Sequence, residues 1–257
     1  MPVHRVARAG FSQEPDRYDR SRPEYPAGVL ELLGTLFGLR SSTQLVELGA
    51  GTGKFTQGLV DAGLRPIAIE PLRAMREELR RRALPIQIVG AVAERLPLRD
   101  DSIDAVVAAQ SFHWFDIARA LPELARVLKL WGGVGLVWNV RDERVPWQRE
   151  LTRLLDEFRE GTPTHHTKSW TQAFARSRAF ETLSVRSFHH DQPMDDARLV
   201  DRVSSVSFIA LLPPERRGKL LERVREVARE APRDPGTGLF KMRYRTDLYW
   251  SRRIADA

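Results

Sequence analysis

The chain contains no cysteine in 257 residues. That excludes disulfides and every metal site built on thiolates, and it makes a cytoplasmic location the natural expectation. No apolar run is long enough to span a bilayer, so no membrane partner is expected. Met1 to Gly10 is basic but lacks the apolar segment of a secretory signal. The histidines, which include the pairs His165-His166 and His189-His190, show no H-E-x-x-H or comparable spacing, and no metal is expected. Lysine is scarce, with five among 41 basic residues. The arginines that make up the rest are spread along the chain, often beside acids. The net charge of +7 therefore reads as a solvated surface rather than a nucleic-acid stripe. There is no internal repeat and no low-complexity linker. What remains, 42% hydrophobic and 29% charged residues, suits a globular protein able to bury a sizeable core as one domain or two small ones.

Against this background one stretch organises the chain. Gln44 to Leu48 reads as a short buried strand, Phe55 to Ala62 as a helix, and between them Gly49, Gly51 and Gly53 alternate with Ala50 and Thr52. A strand feeding a helix through a glycine turn leaves backbone N–H groups beside a ligand with no side chains in the way. The bland alternative is a tight turn without a ligand. Spacing discriminates among cofactors. A dinucleotide site needs G-x-G-x-x-G, and Lys54 stands where the third glycine should be. A P-loop needs G-x-x-x-x-G-K-[ST], and Leu48 and Phe55 occupy its first and last positions. What is present is an acid followed by G-x-G-x-G: Glu47, Gly49, Gly51, Gly53. This resembles the first motif of the class I S-adenosylmethionine (SAM) dependent methyltransferases.

Further segments are similar to that family. Tyr18-Asp19-Arg20-Ser21-Arg22-Pro23-Glu24-Tyr25-Pro26 precedes a helix of period 3–4 with Pro26 at its start. In small-molecule methyltransferases a similar segment folds over the cofactor, which implies that Arg22 meets the SAM carboxylate and Tyr18 closes the pocket. Gly63 reads as the glycine that ends the first helix after the motif. Pro66 to Glu70 reads as the second strand, and Glu70 lies where ribose-binding folds place an acid that accepts the ribose hydroxyls. A strand-end carboxylate that faces a ligand should contribute little to the core. Leu72 to Ala83 is a helix with Arg73, Arg76 and Arg80 to Arg82 on its wet faces; its Met75 either touches the adenine edge or packs in the core. After a third strand, Ile86 to Gly90, the run Ala91 to Asp104 is similar to G-x-A-E-x-L-P-x-x-D-x-S-x-D, with Val92 where many relatives carry an acid. The backbone of Ala93, apolar contact from Val92, or Glu94 would then serve the adenine. The near-continuous apolar run Ile103 to Ala109 reads as a strand covered by helices on both faces. It ends in Gln110-Ser111-Phe112-His113-Trp114-Phe115-Asp116, which resembles a small-molecule methyltransferase signature and not the Asn/Asp-Pro-Pro-Tyr of enzymes that act on nucleic-acid or glutamine nitrogens. Asp116 is expected to cap the next helix and Pro122 to break it in two. Leu124 to Gly133 is similar to the family's R-V-L-[KR]-P-G-G turn with Leu130-Trp131 in place of Pro-Gly, and Val134 to Asn139 reads as the fifth strand.

Beyond residue 139 the resemblance fades. Val145 to Glu160, Ser169 to Ala179, Asp196 to Val206 and Pro214 to Ala231 read as helices, with Gly161 to Lys168 and Arg233 to Gly238 as loops. Glu181 to His189 and Leu239 to Trp250 read as strands. The resemblance implies an α/β, Rossmann-like seven-stranded sheet of order 3-2-1-4-5-7-6 with the seventh strand antiparallel and a helical cap. Residues 1–257 would form one methyltransferase domain, with a SAM-binding core at about 40–139 and cap elements at about 1–39, 140–180 and 191–238. It further implies cofactor contacts from Glu47, Gly49, Ala50, Gly51, Thr52, Gly53, Glu70, Pro71, Met75, Val92, Ala93, Glu94 and Gln110, with Tyr18 and Arg22 from the N-terminal segment. A substrate pocket would be lined by Phe112, His113, Trp114 and Asn139. The reaction would be displacement of the SAM methyl by an O, N or C atom of a small molecule, leaving S-adenosylhomocysteine (SAH), without a metal. The rival readings are an RNA methyltransferase and a non-catalytic SAM-binding regulator. His113 is the one candidate catalytic side chain: a general base, a pocket-lining group without proton transfer, or a packed core residue.

Overall fold

The computed structural model describes residues 22–159, 161–164 and 169–255. In chain order the elements are α1 (Ala27–Phe37), β1 (Leu45–Leu48), α2 (Lys54–Asp61), β2 (Ile67–Ile69), α3 (Arg73–Arg81), β3 (Gln87–Val89) and β4 (Ile103–Ala109). A 3₁₀ turn (Phe112–Trp114), α4 (Ile117–Val127), β5 (Leu128–Arg141), α5 (Pro146–Asp156), α6 (Ser169–Arg176) and β6 (Ser184–Met194) follow, then α7 (Asp196–Ser204), α8 (Ser207–Ala210), α9 (Pro214–Arg229) and β7 (Phe240–Arg252). The strands form one sheet of order β3-β2-β1-β4-β5-β7-β6. The pairs among β1 to β5 are parallel, and β7 runs antiparallel to both β5 and β6. Sheet, order and the antiparallel seventh strand match the expectation.

Alternation along the central strands explains the layering. Leu45, Ala105, Val107 and Val137 pack with Val29 and Leu33 of α1 and with Phe55 and Leu59 of α2. Their neighbours Val46, Leu48, Val106, Ala108, Leu136 and Trp138 pack the opposite way, against Leu124 and Val127 of α4 and Trp170 and Phe174 of α6. With both faces covered, all four residues of β1 are buried. Each large side chain so enclosed contributes about 1.5–3 kcal/mol. Trp138 and Trp170 stack with ring centroids 4.5 Å apart. A further cluster joins Leu151 and Leu155 of α5, Leu199 and Val203 of α7, and Leu220 and Val224 of α9 to Met242 at the start of β7. This helical layer rests on the parts of β5, β6 and β7 that extend past the short parallel strands.

Several boundaries differ from those read off the sequence. Strand β5 begins at Leu128, not Val134, because Gly132-Gly133 does not close a turn. Trp131, at φ 66°, donates its N–H to the Arg253 carbonyl, and Arg253 N–H returns to Gly132. Gly133 lies under Phe37, whose ring a Cβ would strike. Strand β6 starts and ends later than expected because its pairing with β7 continues to Met194 opposite Phe240. Strand β7 in turn runs to Arg252, two residues past the expected end. Helix α4 is continuous through Pro122, where only one intrahelical bond is lost. Its N-cap residue Asp116 makes no side-chain capping bond. The helix expected over Asp196 to Val206 ends at Ser204, and a separate short helix, α8, starts at Ser207 after extended Val206. The helices expected to reach Glu160, Ala179 and Ala231 end at Asp156, Arg176 and Arg229. The expectation for Gly63 agrees with the structure: at φ 81° it follows α2 and donates its N–H to the Val60 carbonyl.

Candidate functional site

The C-terminal ends of β1, β2, β4 and β5 meet at one edge of the sheet, the position at which open parallel sheets bind ligands. From β1 the chain enters the glycine turn with Gly49 at φ 66°, Gly51 at φ 59° and Gly53 at φ 89°, all left-handed conformations that side chains other than glycine adopt at a cost. A Cβ on Gly49 would come within 2.6 Å of the Ser111 Cβ, whereas one on Gly51 would meet nothing. Gly49 thus permits close packing of the β1 and β4 ends, and Gly51 leaves open space above the turn.

The turn is held from below and beside. Gly49 and Ala50 donate to the Ile69 carbonyl at 2.8 and 3.1 Å. Gly51 N–H donates to Glu70 Oε2 at 2.9 Å, and Leu72 N–H donates to Glu70 Oε1 at 2.8 Å. The Glu70 carboxylate is therefore a structural staple, contrary to the expectation that it contributes little to the fold. Its lone pairs beyond these two bonds are what it can offer a ligand. Two arginines read as solvated also hold this turn. Arg82 Nε donates to the Thr52 carbonyl at 2.7 Å, and Arg76 Nη1 donates to the carbonyls of Glu70 and Pro71 at 2.7 and 2.8 Å. Arginine spacing along α3 contains no signal for this, since the acceptors are backbone carbonyls, Thr52 thirty residues upstream and Glu70 and Pro71 just before the helix.

Beside the turn is a cavity lined by Glu47, Gly49, Ala50, Gly51, Thr52 and Gln110, and by Arg22, Pro23 and Tyr25 from the segment before α1. The described part of that segment thus lies over the glycine turn, tied there by a Lys54–Glu24 ion pair of 2.7 Å and an edge-to-face contact of Tyr25 with Phe55. Tyr18 lies outside the described residues. Glu47 is buried and accepts a hydrogen bond from Thr56 Oγ1 at 2.6 Å. Burial raises its pKa from 4.5 to about 8, with the Thr56 bond working against the rise and nearby Glu70 adding to it. Burial also raises the Glu70 carboxyl, against hydrogen bonds from Leu72 and Gly51 and the charge of Arg76.

Gln110 closes β4 in a left-handed conformation, φ 57°, and its Nε2 donates to the Asn139 carbonyl at 3.1 Å. A polar residue held in that region at a sheet's ligand edge is the kind of strain that accompanies function. Asn139 spends its side chain internally: Nδ2 donates to the Glu24 carbonyl at 3.0 Å, and Oδ1 accepts from Thr246 Oγ1 at 2.5 Å. Gln110, Asn139 and Arg22 line a second cavity as well, of about 150 Å³, between the β5 and β7 ends and the helices above them. His113 and Trp114 face it. Phe112 does not. It is fully buried in the aromatic core against Phe115, Trp170 and Phe174, because the 3₁₀ turn sends consecutive side chains to different sides.

The remaining sequence candidates lie outside both cavities. Gly53 packs where a Cβ would strike Leu79, and Met75 and Ala93 are buried. Pro71 and Val92 are half-buried, with Val92 bridging to Arg95. Glu94 Oε1 accepts the Asp116 N–H at 2.8 Å and so anchors the start of α4. His113 Nδ1 accepts the Trp138 indole N–H at 3.3 Å, which leaves Nε2 carrying the ring proton. Burial, with Arg159 and Arg22 nearby, lowers the His113 pKa from 6.5 to about 3. The second cavity also receives Arg141, Arg159, Arg202 and Tyr244, none of which sequence reasoning selected. They come from four separate segments of an arginine-rich chain and no local pattern marks them.

A sequence profile of methyltransferase domains matches residues 46–134. An uncharacterized methyltransferase-like protein of Schizosaccharomyces pombe is 33% identical over 95% of each chain. An uncharacterized methyltransferase of Mycobacterium tuberculosis is 38% identical over 86% of each. Among solved structures, a protein of Anaeromyxobacter dehalogenans described as a type II methyltransferase superposes with a TM-score of 0.66 at 23% identity, covering 91% of this chain and 97% of its own. That likeness shows the fold. The sheet order, the acid and glycine turn at its ligand edge, and relatives alike over nearly their whole length lead to one conclusion: the chain belongs to the class I SAM-dependent methyltransferases.

Proposed function

We propose that the chain binds SAM along the glycine turn and transfers its methyl group to a small-molecule acceptor in the second cavity. The observation that carries this reading is the junction of the two cavities at Arg22, Gln110 and Asn139, through which a ligand on the turn would adjoin one in the second cavity. The residues suit the cofactor. Gly51 leaves room for backbone approach, and Glu47 is a buried acid, raised to about 8, that a cationic ligand would ionise. SAM supplies an activated methyl on a sulfonium, so the protein's task is alignment in a dry pocket.

Arg22 reaches both cavities, and its Nη2 donates to the Ser205 carbonyl at 3.0 Å, linking the segment over the glycine turn to the end of α7. His113 is neutral above about pH 3, with its proton on Nε2, so it orients an acceptor by donating a hydrogen bond and does not remove a proton from it. Several arginines pair with acids three or four residues away along the chain, as Arg73 does with Glu77, Arg81 with Glu78 and Arg153 with Glu150. That supports a small-molecule acceptor over RNA. Incubation with methyl-labelled SAM and fractionated metabolites tests the proposal. Label should enter a low-molecular-weight fraction with stoichiometric SAH, and SAM binding with no transfer to any fraction would refute it.

A further inference from the structure

The second cavity is lined by donors from four elements, and its cationic side chains outnumber its acids. Arg141 stands near the end of β5, Arg159 follows α5, Arg202 sits on α7, and Tyr244 projects from β7. Glu143, exposed, is the acid that lines it. Some of this charge is engaged. Arg159 pairs with Asp156 at 2.5 Å, and Arg141 Nε donates to Thr152 Oγ1 at 3.0 Å. Arg202 differs. It is 9% exposed, and its Nε and Nη1 are buried with no hydrogen-bond partner among the described residues. The Tyr244 hydroxyl, also buried, has no partner either. Burying guanidinium and phenol donors without acceptors costs stability, and a protein keeps such groups where a ligand supplies the acceptors. The arginines also act on one another. Burial first, and then the charge of Arg202, lower the Arg141 pKa to about 10. An oxyanion would relieve both the missing acceptors and the like-charge repulsion, and the guanidinium fork matches a carboxylate bidentately.

Among the described lining residues no buried side chain is free to take a proton from an alcohol or amine acceptor, since His113 Nδ1 already accepts the Trp138 indole N–H and Glu143 is exposed. A carboxylate needs none, being ionised at neutral pH. Resting on the methyl-transfer reading above, we infer that the acceptor is a small organic acid, held by Arg202, Arg141 and Tyr244 and methylated on a carboxylate oxygen. A lone pair of that oxygen forms the new C–O bond as the methyl–sulfur bond breaks. The bonding pair goes to sulfur, no proton moves, and the products are a methyl ester and neutral SAH.

The test has two arms on the full-length protein. In the first, the SAH complex is titrated with glutarate, with 1,5-pentanediol as its neutral match, and with glycerol 3-phosphate, for wild type, Arg202→Met and Tyr244→Phe. Glutarate should bind and the diol should not. Arg202→Met should weaken glutarate at least tenfold while leaving the thermal midpoint of the ligand-free protein equal or higher, because an unpartnered buried cation is removed. Tyr244→Phe should weaken glutarate several-fold at an unchanged midpoint. In the second arm, label transferred from methyl-SAM to an anion-exchange fraction of metabolites should be released as methanol by mild alkali. Label that survives alkali, as in an ether, an amine or a phosphate ester, would overturn the inference and leave the methyltransferase reading standing. Equal binding of the diol, preference for the phosphate, failure of glutarate to bind, or an Arg202→Met midpoint that falls with unchanged glutarate affinity would do the same. Failure to bind SAH at all would overturn both.

Discussion

Replacing Glu47 with glutamine separates what this side chain does for the fold from what it does for the ligand. In the folded chain burial holds its carboxyl at about 8 instead of 4.5. The native state therefore binds a proton more tightly than the unfolded state between these values. By linkage, stability falls as pH rises from about 4.5 to about 8 and is lowest above that. At about 1.4 kcal/mol per pH unit the whole displacement is on the order of 5 kcal/mol, and water reaching the cavity that Glu47 lines reduces it to about 2–5 kcal/mol. Glutamine never ionises, and its carbonyl can still accept the Thr56 hydroxyl. Urea unfolding should find Glu47→Gln within about 1 kcal/mol of wild type at pH 4.5 and more stable by about 2–5 kcal/mol at pH 9. Calorimetric titration at pH 7 should show wild type releasing close to one proton per SAM bound, as the sulfonium and ammonium of the ligand draw the carboxyl into its charged form. The variant should release none and bind SAM more weakly. A stability difference that is the same at both pH values would refute the assignment of Glu47 as a buried acid carrying its proton at neutral pH.

Truncating Glu70 to alanine leaves the Gly51 and Leu72 N–H groups without acceptors and should cost about 2–4 kcal/mol of stability in chemical denaturation, together with a loss of SAM affinity. Glutamine, with one oxygen, should cost roughly half as much, and a variant as stable as wild type would show that the glycine turn holds itself. His113→Gln retains an N–H donor, so turnover should fall less than about tenfold and the loss should not change between pH 6 and 9. A fall of about 10²–10⁴ that shrinks with rising pH would instead mark His113 as a base.

The sheet and the cofactor edge were legible in the sequence because their determinants are local. Val46, Leu48, Val106 and Val107 announce buried strands by their own runs, and Gly49, Gly51 and Gly53 announce the turn because each backbone conformation is encoded at a single position. The staples of that turn were not legible. Arg82 and Arg76 look like any solvated helix arginine until the fold brings Thr52, Glu70 and Pro71 within reach. Boundaries in β5 and β6 were misjudged for a similar reason: where those strands stop depends on pairing with β7, more than a hundred residues from β5 and about fifty from β6. Phe112 was misplaced because a signature read as a string cannot tell that a 3₁₀ turn sends Phe112 inward and His113 toward the cavity.

The two cavities differ in the ionisable groups they offer a ligand, and this bears on turnover as well as on binding. The glycine-turn cavity is lined by the buried acid Glu47, with Glu70 behind its turn and Lys54 paired to Glu24, and the second cavity by Arg141, Arg159 and Arg202, with Arg22, Gln110 and Asn139 common to both. The proposed cationic methyl donor would meet the ionisable Glu47 on one side of the junction and the proposed anionic acceptor the arginines on the other. In this low-dielectric interior such a preference is worth more than it would be in water. In the proposed reaction, methyl transfer from a sulfonium to a carboxylate would remove both charges at once. The neutral thioether sulfur no longer offers a positive charge to Glu47, and the ester no longer satisfies Arg202 as an oxyanion does. The charges that assemble the reactants thus hold the products less tightly, and the arginine cluster, destabilising by itself, is restored for the next acceptor.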